Sequence, residues 1–279
     1  MLVACCQLAP RIGDLDGNRA RATRAVEAAA ARGARIVLLP ELCSSGYVFH
    51  DAAEARSLAE PADGPTTGGW AELARDLDLV VIGGFAELDG DGVLRNSAAL
   101  VDASGVRAVY RKAHLWDRES LVFTPGDDAP PVVETDRGRI GVMVCYDLEF
   151  PEWVRLPALA GAQLLAAPAN WPASAVALDG LSGEGVRARA NACVNRMYVA
   201  VSDRHGHERG VDWVGGSMLV DPDGRLLAGP PPDGGEAIVI ADCDLAVADD
   251  KRISERNDVF GDRRPELYGP VAAAWSAAR

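Results

Sequence analysis

The chain has 279 residues, 48% of them apolar, enough to bury a sizeable core in one large domain or two small ones. Lys and Arg total 28 against 41 Asp and Glu, and the resulting net charge of −13 disfavours nucleic acid or an anionic membrane as a partner. No run approaches the roughly 18 uninterrupted apolar residues of a membrane helix, and the opening MLVACCQLAP lacks the basic and long apolar regions of a secretory signal.

Residues 1–8 read as a first core strand. Asp16 or Asn18 is placed to cap a helix running to about Arg32, which Gly33 ends. RIVLL (35–39) is a short apolar run of the kind buried on both faces of a sheet, and Pro40 stops it just before Glu41. A helix over about 67–77 leads to a second buried strand, LVVIGGFAEL, and RIGVMVC (139–145) makes a third. Pro151 opens a helix to about Ala160, which Pro157 should kink. LLAAPAN is the next strand, followed by a helix near 185–195 and the strand MYVAVSD.

Two further segments resemble each other. SAALVDASGVRAVY (97–110) and SMLVDPDGRLLA (217–228) both read strand, turn, strand. They are either two ordinary hairpins or the matching parts of a pseudo-two-fold β-sandwich with helices outside. GPPPDGG (229–235) reads as a surface loop before the strand EAIVIADCD. No Gly-, Ser- or Pro-rich linker divides the chain, so one domain over 1–279 is the simpler reading. The six cysteines, at 5, 6, 43, 145, 193 and 243, are scattered, which suits neither a disulfide framework nor a zinc ribbon. Cys5 and Cys6 should point to opposite faces of the first strand, and a reducing cytoplasm is the natural setting.

Cys145 closes a buried strand just before a helix, at the rim of the sheet where α/β folds bind ligands. The amides of the helix N-terminus should favour its thiolate. Taken alone, it reads more simply as a buried structural cysteine. Glu41 likewise follows a strand and a proline, where an unpaired buried carboxylate is costly, though a solvated loop glutamate fits as well. Lys112 alone reads as a surface lysine, and His114 is a rival base two residues on.

Taken together these residues become specific. Pro40-Glu41-Leu42 with Gly46-Tyr47, Tyr110-Arg111-Lys112-Ala113-His114-Leu115, and Cys145-Tyr146-Asp147 with Phe150-Pro151-Glu152 resemble, in order and spacing, the three signature blocks of the nitrilase (carbon–nitrogen hydrolase) superfamily. The similarity extends over essentially the whole chain, through Thr124-Pro125-Gly126-Asp127 and Asn191 to Asn195. It implies an α/β fold, a four-layer αββα sandwich that dimerises into an eight-layer particle, with the segment from about 250 to 279 at the oligomer interface. It also implies a triad of Glu41 as general base, Lys112 as oxyanion stabiliser and Cys145 as nucleophile. Glu119 matches a second glutamate that holds the lysine and substrate, and His114 becomes structural. The chemistry is attack on an amide carbon, loss of ammonia to a thioester and hydrolysis to the acid, with no metal or organic cofactor.

True nitrilases resemble one another in having Cys-Trp-Glu at the nucleophile, whereas this chain has Cys145-Tyr146-Asp147. CYDLEFPEWVR, AAPANWP and Trp213-Val214-Gly215-Gly216-Ser217 are most similar to bacterial aliphatic and stereoselective amidases. A small linear amide is therefore the first expectation for substrate, a carbamoyl compound the second and a nitrile the third. Tyr47, Trp116, Tyr146, Asn170 and Trp171, with Glu119, are the candidate substrate-binding residues of a pocket suited to a small, largely apolar acyl group. Asp147, Arg155 and Asn195 are expected to brace the nucleophile's turn. The rivals are an inactive scaffold of the same fold and a redox or metal protein. The latter has only His205 and His207 as a near pair, which with Asp203 and Glu208 read as a polar loop.

Overall fold

The computed structural model describes residues 1–173, 177–178 and 180–273. The first half runs β1 (Leu2–Gln7), α1 (Leu15–Ala31), β2 (Ala34–Leu38), α2 (Ala52–Leu58), α3 (Pro65–Leu77), β3 (Val80–Leu88), β4 (Leu94–Asp102) and β5 (Gly105–Arg111). The second runs β6 (Val132–Thr135), β7 (Gly138–Val142), α4 (Pro151–Leu159), β8 (Leu164–Ala169), β9 (Ala177–Leu178), β10 (Leu181–Ser182), α5 (Gly183–Asn195) and β11 (Tyr198–Asp203). It continues through β12 (His205–Glu208), β13 (Val211–Val214), β14 (Met218–Val220), β15 (Leu226–Ala228) and β16 (Ala237–Asp242).

Two six-stranded sheets result, ordered β16-β1-β2-β3-β4-β5 and β15-β14-β11-β8-β7-β6. Their internal patterns match. Each has an antiparallel edge strand, three parallel strands (β1-β2-β3 and β7-β8-β11), then an antiparallel hairpin (β4-β5 and β14-β15). The two look-alike segments of the sequence are those hairpins, one per sheet, so the pseudo-two-fold reading holds. Val3, Cys5, Ile36, Leu38, Ile82 and Leu100 pack between the sheets with Val142, Leu164, Ala166 and Ala200. Cys6, Val37 and Val81 face outward from the first sheet onto Val26 and Ala29 of α1 and Trp70 of α3. Helices α4 and α5 cover the second sheet through Val154, Ala158, Ala188 and Ala192. This is the four-layer αββα sandwich.

Several local expectations change. Helix α1 is capped by Asp14, whose side chain accepts from Gly17 N at 3.1 Å, and not by Asp16 or Asn18. Asn18 is buried instead, and its amide bonds Arg11 O at 2.7 Å and Ser44 O at 2.9 Å, fastening the loop after β2. Gly33, at φ +89°, ends the helix as expected. Strand β7 stops at Val142, and a 3-10 turn over Cys145–Glu149 precedes α4. Pro157 lies inside α4, which runs on to Leu159. Helix α2 and strand β6 had no sequence signal. The stretch read as a polar loop around His205 and His207 is the β12–β13 hairpin, with Arg204 and Glu208 buried. After β16 the chain carries exposed Ile253, Leu267, Tyr268 and Val271, and residues 274–279 of the expected oligomer segment lie outside the described residues. Among the described residues, no helix is long and apolar enough to cross a membrane.

Candidate active site

Glu41, Lys112 and Cys145 stand just past the ends of β2, β5 and β7, so the two sheets bring them together at one end of the sandwich. Pro40 leaves β2 with its carbonyl bonded by Gly84 N at 3.0 Å, and Cys43 N returns to Gly84 O at 2.8 Å. A Cβ on Gly84 would lie 2.5 Å from Glu41 Cα, so only glycine lets the Glu41 loop seat on β3. Lys112 is fixed by its backbone, which gives its N–H to Asn96 O and takes the N–H of Gly126, both at 2.9 Å.

Cys145 sits at φ +48°, a left-handed conformation that side chains other than glycine adopt only when their surroundings enforce it. The enforcing group is Asp147, fully buried. It accepts from Tyr110 Oη at 2.7 Å, from His114 N at 3.0 Å and from Val144 N at 3.3 Å, and it lies 2.7 Å from His114 Nδ1. His114 also stacks on Phe150 at 3.8 Å between centroids, so it braces the turn. Asn191 contributes by donating to Leu148 O at 2.8 Å. Of the other expected braces, Asn195 bonds within α5 to Asn191 O, and Arg155 lies over the Phe260 ring.

The polar groups converge on Lys112. Its Nζ donates to Glu41 Oε1 at 2.8 Å and to Glu119 Oε1 at 2.7 Å, with the lysine and Glu41 side chains wholly buried. Asn96 Nδ2 gives a second bond to Glu41 Oε1 at 2.7 Å, while Glu41 Oε2 has no hydrogen-bond partner among the described residues. Glu119 Oε1 also takes the Tyr47 hydroxyl at 2.5 Å, and its Oε2 takes Trp116 N at 2.9 Å. The Cys145 thiol points to Asn170 O at 3.8 Å.

Burial pushes the Glu41 carboxyl up to about 7, against the pull of Lys112, and the Glu119 charge adds to the rise. Burial alone would push Lys112 down, but the Glu119 and Glu41 carboxylates outweigh it and hold the ammonium well above its ordinary range. Burial, with the Glu41 charge, pushes the Cys145 thiol well up despite Lys112. The thiolate expected from the helix N-terminus is therefore not favoured. A buried sulfur facing a carboxylate keeps its proton until a reaction partner arrives. The arrangement suits a base that removes that proton during attack.

Two neighbouring cavities open onto this cluster and share Trp116 and Pro172. Tyr47 and Glu119 line one, with Trp213 beside them. Cys145, Tyr146, Asn170 and Trp171 line the other. The five candidate binding residues thus all face the cleft, but Asn170 Nδ2 is already committed to Glu41 O at 2.9 Å. The wall beyond Cys145 carries Glu149, Glu184 and Arg187, with Arg187 Nε 2.6 Å from Glu149, so the pocket is less apolar than expected. Asn96 was also missed, since its role depends on strand register. Among the described residues, His, Cys, Asp and Glu do not group as a metal site would need.

The carbon-nitrogen hydrolase family model matches residues 2–252. A protein named nitrilase from Pyrococcus abyssi is 37% identical over 269 residues, covering 95% of this chain and 98% of that protein. An (R)-stereoselective amidase from Pseudomonas sp. is 33% identical over 271 residues, covering 96% and 93%. A structure of the amidase from Nesterenkonia sp. AN1, with acrylamide added at its active-site cysteine, superposes with a TM-score of 0.79 at 28% identity, covering 96% of this chain and 98% of that one. With its sandwich, its converging strand ends and these relatives, the chain belongs to the carbon-nitrogen hydrolase family, the nitrilase superfamily of hydrolases acting on carbon–nitrogen bonds.

Proposed function

We propose that the protein hydrolyses a small linear amide to its carboxylic acid and ammonia. The observation that carries this reading is the division of labour within one buried carboxylate. Glu41 Oε1 is held by Lys112 and Asn96, Oε2 is left unengaged, and the Glu41 charge acts on the thiol of a cysteine locked at φ +48°.

Glu41 takes the Cys145 proton as sulfur attacks the amide carbon. Charge grows on the carbonyl oxygen, where Lys112 Nζ and the N–H of Tyr146 are the donors. Tyr146 is second in the 3-10 turn whose first internal bond comes from Asp147 N, so its amide is free of intrahelical duty. Glu41 hands the proton to nitrogen, the carbon–nitrogen bond breaks, and ammonia leaves a Cys145 thioester. A water deprotonated by Glu41 attacks the thioester, and the acid and thiol are released. Glu119, itself held by the Tyr47 hydroxyl, holds Lys112 throughout.

Cys145-Tyr146-Asp147 and the likeness to a stereoselective amidase support amide over nitrile. The exposed apolar groups after β16 support a homodimer formed through that segment. The deciding experiment offers matched amide, carbamoyl and nitrile compounds and follows the mass of the Cys145 peptide. An acyl adduct and ammonia from the amide are expected. An adduct from the nitrile or carbamoyl compound alone would reassign the substrate class.

A further inference from the structure

We infer that Arg204 and Glu208 are positioning residues for the reaction, fixing Tyr47 and through it the Glu119 carboxylate that holds Lys112; the inference rests on the amide-hydrolase reading above. Arg204 is 1% exposed and Glu208 6%, although both lie in a stretch whose sequence reads as a polar loop. The guanidinium grips both Glu208 oxygens at 3.1 Å and bonds Pro10 O at 2.8 Å. It also lies 4.7 Å from the centre of the Trp213 ring, which packs edge-to-face with Tyr47 at 5.1 Å between centroids.

Glu208 passes this order from the β12–β13 hairpin to the loop after β2. Its Oε2 takes the N–H of Tyr47 at 2.9 Å and of Val48 at 2.7 Å. The next residue, Arg209, donates to Val48 O at 2.8 Å. Three backbone groups of the Glu41 loop, Tyr47 N, Val48 N and Val48 O, are thereby tied to the separate two-stranded β12–β13 hairpin. Gly46, at φ +82°, completes the fit, since a Cβ there would lie 3.0 Å from Glu208 Oε1 and 2.4 Å from Ile12 Cα. From this anchor the Tyr47 hydroxyl reaches Glu119 Oε1, the same oxygen that Lys112 uses. A buried ion pair serving only stability could be replaced by apolar groups at little loss. This one spends its second oxygen on the loop carrying the base and the pocket tyrosine.

The test compares Tyr47→Phe, Glu208→Gln and their double substitution, each checked for folding by circular dichroism and melting temperature. Two readouts are used: kcat and KM for the amide, and the pH profile of Cys145 alkylation by iodoacetamide, which needs no turnover. The relay predicts a kcat loss of about tenfold or more for each single variant with KM changed far less. It predicts a double variant no worse than the weaker single one, because both cut the same chain. The acid-side midpoint of alkylation should fall in both single variants, as a displaced Glu119 ceases to raise Glu41. Tyr47→Phe keeps the ion pair intact, so it tests the chain even where Glu208→Gln melts early. Folded variants with unchanged kcat and alkylation profile, or losses that simply multiply, would overturn the inference. A wild-type protein that releases no ammonia from any amide, with both single variants still sharing the alkylation shift, would sink the substrate reading and leave the relay standing.

Discussion

Asn96 Nδ2 and Lys112 Nζ meet at a single atom, Glu41 Oε1, from 2.7 and 2.8 Å. That shared oxygen fixes the orientation of the carboxylate and leaves Oε2 as the oxygen open to a proton. Glu41→Gln removes the base while keeping the shape, and should lower kcat by roughly 10²–10⁴-fold. Asn96→Ala leaves the base but frees its rotation, and about a tenfold loss is expected. Steady-state ammonia release measures both. Equal activity in Glu41→Gln and wild type would remove Glu41 from the reaction.

The pH response should split activity from stability. Glu41 must be ionised to accept the thiol proton, and burial lifts its carboxyl from 4.5 to about 7, so kcat/KM should climb through pH 7 and then level. Stability runs the other way. A carboxyl raised by folding binds more protons in the native state, so its favourable contribution is full below pH 4.5 and is lost as pH rises toward 7. Asp203, raised by burial from 3.8 to about 7, acts in the same direction. A rate profile flat from pH 5 to 8 would contradict this assignment.

Lys112→Met should be doubly damaging. It deletes an oxyanion donor, expected at about 10²–10³-fold in kcat. It also leaves the Glu41 and Glu119 carboxylates buried together without their cation, a loss of about 3–5 kcal/mol in stability. The double variant Lys112→Met/Glu119→Gln should recover melting temperature but not rate. Recovery of the rate would show that Lys112 acts only as a counter-ion.

Asp147 and His114 offer a contrast between neighbours. Asp147→Ala strands the Tyr110 hydroxyl and the backbone N–H groups of His114 and Val144, and should destabilise by about 2–5 kcal/mol while releasing Cys145 from its strained φ. His114→Ala removes a stacked ring and one contact, so a smaller fall in melting temperature is expected, with the acyl-enzyme still forming. Loss of acylation in a folded His114→Ala protein would restore the histidine as a rival base.

The sequence made some of this legible and hid the rest for identifiable reasons. Glu41, Lys112 and Cys145 stood out because each sits in a short block at a strand end, and blocks keep their order whatever the packing; Glu119, in a 3-10 turn beyond β5, followed from its spacing to Lys112. Asn96 is one polar residue in a β-strand, and only the register that puts its carbonyl against Lys112 N gives it a role. Glu208 reads as part of a polar loop because charge is a poor guide to burial when its partner, Arg204, lies four residues away on a turning chain. Asp14 was passed over because Asp16 and Asn18 offer equally good capping chemistry, and only the path of the preceding loop decides among them.

The placement of the triad has a consequence for how the chain matures. Glu41 and Lys112 belong to one sheet and Cys145 to the other, with the Glu41 amide reaching across to Ala169 O at 3.4 Å. Neither half can therefore assemble a working nucleophile by itself. A nascent or partly denatured chain, with its sulfur exposed but no base in register, is chemically silent toward amides. Catalysis becomes a reporter on the docking of the two halves, and in a denaturant titration it should vanish with that docking and not before.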